Sequence, residues 1–132
     1  MSEHAIENGK GWLASVVEMI DDLNHAEAVG DSDTIDACRS RIDESPLSVT
    51  VRGGWHVPGD AEAAKPEEYE ILLSTGGPAL RLYGQLDEYM QPDDWPRLQW
   101  QDWGTPWTNC EGITGEEREA LVAFARCFYF GE

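Results

Sequence analysis

The chain has 132 residues, and 26 Asp and Glu against nine Lys and Arg give a formal net charge of −17. That length suits one domain around a single core, which buries about two-thirds of the surface an unfolded chain exposes. A content of 41% hydrophobic and 10% aromatic residues is that of a globular protein, so the charge does not signify disorder, while the lack of clustered Lys and Arg argues against direct binding to nucleic-acid phosphates.

In chain order, the first element is a helix. Over residues 11–29, Leu13, Val16, Val17, Ile20 and Leu23 form an apolar stripe with Met19 at its margin, and Glu18, Asp21, Asp22 and His25 collect on the opposite side. Gly30 is placed to end it, because glycine accepts the left-handed conformation found just past helix ends. A shorter helix is predicted over 33–43, capped by Ser32 or Asp33, with Ile35, Cys38 and Ile42 as its buried stripe and Pro46 beyond its end.

The period then changes. Leu47, Val49 and Val51 alternate with Ser48, Thr50 and Arg52, the pattern of a half-buried strand. Residues 56–66 have no period and read as a flexible connection. Tyr69, Ile71 and Leu73 alternate with polar neighbours, as do Leu80, Leu82 and Leu86 after Gly76-Gly77-Pro78, which marks a hairpin whose glycines supply positive φ. A fourth strand is predicted over 97–103. Thr114 followed by Glu117 is a capping box, and Leu121, Phe124 and Phe128 mark the helix that it opens. The expectation is one acidic α+β domain over 1–132: two N-terminal helices, a four-stranded antiparallel sheet and a C-terminal helix packed on one face.

Recognisable catalytic and ligand-binding motifs are missing. His4, His25 and His56 are scattered, with no CxxC, HxxxH or HExxH spacing, so no metal is expected. Thr75-Gly76-Gly77-Pro78 lacks the Lys-Ser/Thr and the helix start of a phosphate loop, and no GxSxG elbow occurs. Neither a cofactor nor catalytic residues are expected. Cys38, Cys110 and Cys127 are odd in number and widely spaced, against a secreted disulfide scaffold. The first residues carry acids where a secretory leader has bases, and no run approaches the ~20 apolar residues of a membrane span. A cytoplasmic protein without membrane contact is the expectation.

Two features remain. Trp95, Trp100, Trp103 and Trp107 fall within thirteen residues; some close the core, and Trp95, between Asp93-Asp94 and Pro96, is the candidate exposed anchor for a partner. Acids run along the whole chain and therefore cover the folded surface. Such a surplus repels itself in the folded state, and one use that offsets this is binding to a basic surface, with carboxylates standing in for DNA phosphates. Arg52 and Arg81 lie among Glu68 and Glu70 and can pair across strands, so the outer sheet face is the poorer place for a mimic. The partner-binding set is Asp21, Asp22, Asp87, Glu88, Asp93 and Asp94, with Trp95 as anchor.

Residues 68–89 (EYEILLSTGGPALRLYGQLDEY), 101–108 (QDWGTPWT) and 124–132 (FARCFYFGE) together resemble a group of small acidic proteins carried by bacterial phages, plasmids and other mobile elements. The resemblance implies a setting of opposition to host defence, in the manner of anti-CRISPR and antirestriction proteins, and brings no residue roles. Combined with the charge, it gives the expectation of a non-enzymatic inhibitor that blocks the basic DNA-binding groove of a bacterial defence complex. The other expectation is a protein–protein adaptor that binds through the Trp-rich segment 95–107.

Overall fold

The computed structural model describes residues 3–55, 57–59, 65–75, 78–102 and 104–130, with the backbone alone for His4. Helix α1 spans Glu3–Val29. It begins well before residue 11, because Gly9 and Gly11 lie inside the helix instead of marking its start. Gly9 is there for proximity: a Cβ at this position would sit 3.2 Å from Cys110 Sγ. Leu13, Val16, Met19, Ile20, Leu23 and Ala26 are buried, so Met19 belongs to the core stripe. The helix ends as its sequence predicts, at Gly30 with φ +82, whose N–H donates to Ala26 O at 2.9 Å.

Helix α2 spans Ser32–Glu44, and its cap is Asp31, one residue before the predicted candidates. The Asp31 carboxylate accepts from Asp33 N–H at 3.2 Å and from the Thr34 hydroxyl at 2.8 Å. Ile42 is fully buried and Ile35 and Cys38 pack partly against the core. α2 packs against α1.

The sheet is antiparallel in the order β1 (Ser48–Gly53), β2 (Pro66–Ser74), β3 (Ala79–Gln85), β4 (Arg97–Gln101) and β5 (Thr108–Asn109). Five strands replace the expected four. The addition is a two-residue strand that pairs Gln99 with Asn109 and Trp100 with Thr108. The fourth strand stops at Gln101, and Trp103, like His56, Gly76 and Gly77, lies outside the described residues.

Register places Val49, Ile71, Leu82 and Leu98 in one row across the sheet, with Leu80 beside Trp100. α1 lies on this face against β3 and β4. α3 (Gly115–Ala125) packs on α1 and contributes Leu121 and Phe124 to the same core. Its capping box is complete: Glu117 N–H donates to Thr114 Oγ1 at 3.2 Å and Thr114 N–H to Glu117 Oε1 at 2.9 Å. Phe128 lies beyond the helix and packs edge-on to Phe124, with centroids 5.3 Å apart.

β1 departs from expectation. Val49 packs on the core, but Leu47 is 60% and Val51 43% exposed. β1 is the sheet edge and α1 sits over β3 and β4, so the helix leaves the outer strand partly uncovered. No helix of the described residues is long and apolar enough to cross a membrane.

Candidate functional site

Asp21 and Asp22 are exposed on the outer side of α1, as the helical period predicts. α2 turns its arginines toward the acids of α1. Arg41 donates from Nη1 to Asp22 Oδ2 at 3.2 Å and from Nη2 to Glu18 Oε1 at 3.0 Å, and Arg39 reaches Glu27 at 3.4 Å. Among the described residues Asp21 has no ion pair, and Asp33 and Asp36 are exposed on α2 in the same condition.

The other candidates lie in the β3–β4 connection, where two of the acids hold the chain's shape. Asp87 Oδ1 accepts from Tyr89 N–H at 2.8 Å and from Gln91 N–H at 3.0 Å, closing a turn in which Met90 has φ 60. An aspartate can bind its neighbours' backbone in this way because its short side chain reaches N–H groups a few residues on. Asp93 Oδ1 accepts from Trp95 N–H at 3.0 Å. Asp94 takes Arg126 Nη2 at 3.0 Å, while Arg126 Nε donates to Pro92 O at 3.1 Å. Glu88 is exposed and unpaired among the described residues. Trp95 is 64% exposed, with the Arg118 guanidinium 4.4 Å from its ring centroid. Two cations therefore stand beside Asp94 and Trp95, which lowers the acidity of this end of the connection. No hydrogen bond or ion pair of the described residues joins it to Asp21 and Asp22.

The tryptophans divide. Trp100 is in the core, Trp95 is exposed, and Trp107 stacks on the uncovered sheet face under Arg81, 4.3 Å from the guanidinium carbon to the ring centroid.

On that face the cross-strand pairing of Arg52 and Arg81 with glutamates is observed. Arg52 Nε donates to Glu68 Oε2 at 2.6 Å and Arg81 Nη1 to Glu70 Oε2 at 2.6 Å. Tyr83 OH donates to the other oxygen of Glu68. Arg81 Nε donates to Gln99 Oε1 at 2.9 Å, Gln99 passes a 2.8 Å bond to Asn109, and the Tyr83 ring lies 4.5 Å from the Arg81 guanidinium. The hydrogen bonds from Arg52 and then Tyr83 hold the Glu68 carboxyl below the usual carboxylate range. Arg52, Glu68, Glu70, Arg81, Tyr83 and Trp107 line an open hollow of about 420 Å³. Alternation alone put Arg52, Glu68, Glu70 and Arg81 on one face. Trp107 carried no such signal, because it follows β4 at a distance in a segment without period. Arg52 and Arg81 are matched by Glu68 and Glu70, so these four residues offer little net charge to a partner.

Cys110 and Cys127 are poor nucleophiles. Burial pushes the Cys110 thiol up to about 11 and also raises Cys127, which faces the Asp43 charge. Among the described residues, no group of three or more His, Cys, Asp and Glu is placed to hold a metal ion. Compared with known proteins, the chain matches no family model, no curated protein and no solved structure.

Proposed function

We propose that this protein is a non-enzymatic inhibitor that presents its acidic surface in place of DNA and blocks the basic groove of a bacterial nucleic-acid-binding defence complex. One observation carries the reading. Five of the nine cations, Arg39, Arg41, Arg52, Arg81 and Arg126, are engaged with the protein's own carboxylates, and acids outnumber bases by 17 over the whole chain. Asp21, Asp33 and Asp36 on the helices and Glu88 on the β3–β4 turn are exposed and unpaired among the described residues. Carboxylates fixed on helices keep their spacing on binding, which a disordered acidic tail does not, and a field of one sign speeds encounter with a basic groove. The resemblance to acidic proteins of mobile elements supports the choice of a defence complex as target.

Capture of bacterial restriction and CRISPR complexes on the tagged protein tests the reading. A bound complex is expected to be released by duplex DNA and by rising salt, less steeply than DNA itself because a protein lacks DNA's condensed counterions. Asp21→Lys with Asp22→Lys, and separately Glu88→Lys, report which acidic group is used. Retention of the complex in excess DNA would reject the mimic.

Trp95 favours a second reading, an adaptor of the 95–107 segment. An exposed indole beside two guanidiniums is the composition of an interface hot spot. Binding of that kind survives moderate salt and is lost with Trp95→Ala.

A further inference from the structure

The outer edge of β1 is open: no described residue pairs with its free row of N–H and C=O groups. Natural sheets blunt such edges with lysines, prolines or inward charges, because an open edge is a template for another strand. β1 has no lysine or proline, and its one irregularity, a register shift between Arg52 and Gly53, falls at its end. Its one charged residue, Arg52, turns back onto Glu68. Exposed apolar side chains accompany the edge along its length: Leu47 before it, Val51 on it, and the fully exposed Trp55 and exposed Val57 after it.

Charge narrows the choice of occupant. Residues 46–59 contain no Asp or Glu, although acids make up 26 of the 132 residues. Two copies that each carry −17 can meet along this strand without carboxylates on it facing one another. Within the strand, Val49, Thr50 and Val51 read the same in both directions about Thr50. An antiparallel pair centred on Thr50 sets that residue opposite Thr50 of the second copy, Val49 opposite Val51, and Ser48 opposite Arg52. β-Branched and Thr–Thr cross-strand pairs are favourable, and this register keeps the two arginines away from each other. It is also the isologous contact that a two-fold axis requires, the same patch meeting itself. The Leu47 end of each copy then meets the Trp55 end of the other.

We propose that β1 is the interface of a two-fold dimer in which two copies of this chain join edge to edge into one continuous antiparallel sheet, with Thr50 at the axis. Because both copies are strongly acidic, salt strengthens the association by screening repulsion between their remaining surfaces. That is the reverse of the salt response expected for capture of a basic partner.

Sedimentation velocity of the full chain over a wide concentration range tests the proposal. The mass is expected to rise from 14.7 kDa toward twice that value, at lower concentration when salt is added. Thr50→Arg places guanidiniums opposite each other on the axis and is expected to weaken the dimer about tenfold or more, with an unchanged far-ultraviolet circular dichroism spectrum. Thr50→Cys provides a trap that does not depend on the folding of the charged variant. Directly opposed Cβ atoms in a sheet approach to about 4.5–5.5 Å, near disulfide range, so mild oxidation should join the introduced thiols. A monomer at every concentration in high salt overturns the proposal and leaves the edge to another protein's strand. So does a dimer that Thr50→Arg does not weaken and that does not cross-link through position 50.

Discussion

The Tyr69 ring occupies the space that a side chain on Gly84 would need. The two residues face each other across β2 and β3, and a Cβ on Gly84 would lie 2.6 Å from the tyrosine oxygen and 2.8 Å from the ring. The missing side chain is thus filled by an aromatic ring from the next strand, which also packs on Phe130 with centroids 5.0 Å apart. Gly84→Ala forces this ring off its position and is expected to cost about 1–3 kcal/mol, the usual penalty of overpacking. Urea unfolding monitored by tryptophan fluorescence measures it.

The same tyrosine sets a companion prediction. Its hydroxyl is buried and has no hydrogen-bond partner among the described residues. Burial, and then the Asp93 charge, raise its pKa, so the group stays neutral. Tyr69→Phe removes an unsatisfied polar atom and keeps the ring, and the variant is expected to be at least as stable as the parent. A loss above about 1 kcal/mol would mean that the hydroxyl is bonded in solution.

Arg81 fastens three strands and a loop. Its side chain is 16% exposed, bonded to Glu70 and Gln99, and flanked by the rings of Tyr83 and Trp107. Lysine keeps the charge but has neither the planar fork nor the stacking surface. Arg81→Lys is therefore expected to lose about 1–3 kcal/mol, the range for a hydrogen-bonded charge whose partners are left unmatched. Equal stability of the two proteins would show that charge alone suffices.

Glu68 makes stability depend on pH at the acid end. Its folded pKa is depressed by the hydrogen bonds from Arg52 and Tyr83, so its contribution is present above the unfolded value of 4.5 and is lost as pH falls through the folded one. The difference in unfolding free energy between the parent and Glu68→Gln should shrink as pH is lowered from 7 through that window. Tyr83 works in the opposite direction: the hydrogen bond to Glu68 raises its pKa, so its contribution is complete below 10.0 and is lost as pH rises through the folded value. The difference between the parent and Tyr83→Phe should shrink in alkali.

The α3 cap is a local device with a local cost. Thr114→Ala removes the acceptor of Glu117 N–H and is expected to cost about 1 kcal/mol, seen as a drop of a few degrees in Tm.

Where local chemistry decides a structure, its residues are readable in order. The alternation at Tyr69, Ile71 and Leu73 gives a face, Thr114 with Glu117 gives a helix start, and Gly30 gives a helix end. Each depends on neighbours within a turn or a strand. β5 was not legible, because two residues have no period and Thr108 and Asn109 become a strand only through Gln99 and Trp100. The first turns of α1, before residue 11, were not legible for a related reason: Gly9 serves the approach of Cys110, about a hundred residues away in sequence. The candidate site divides in the same way. Exposure of Asp21 and Asp22 follows from helical period, whereas the pairing of Asp94 with Arg126 joins segments that no pattern connects. The uncovered flank of β1 required knowing where α1 rests.

Three of the aspartates that contribute to the charge also act as hydrogen-bond acceptors for backbone N–H groups: Asp31 at the start of α2, Asp87 in the turn and Asp93 before Trp95. Asparagine carries the same acceptor oxygen at the same reach without ionising. Replacing these positions one by one with Asn therefore makes a ladder of proteins that differ in electrophoretic mobility while keeping one hydrodynamic radius. Valence and shape, which vary together in most comparisons between acidic proteins, become separate experimental variables in this molecule.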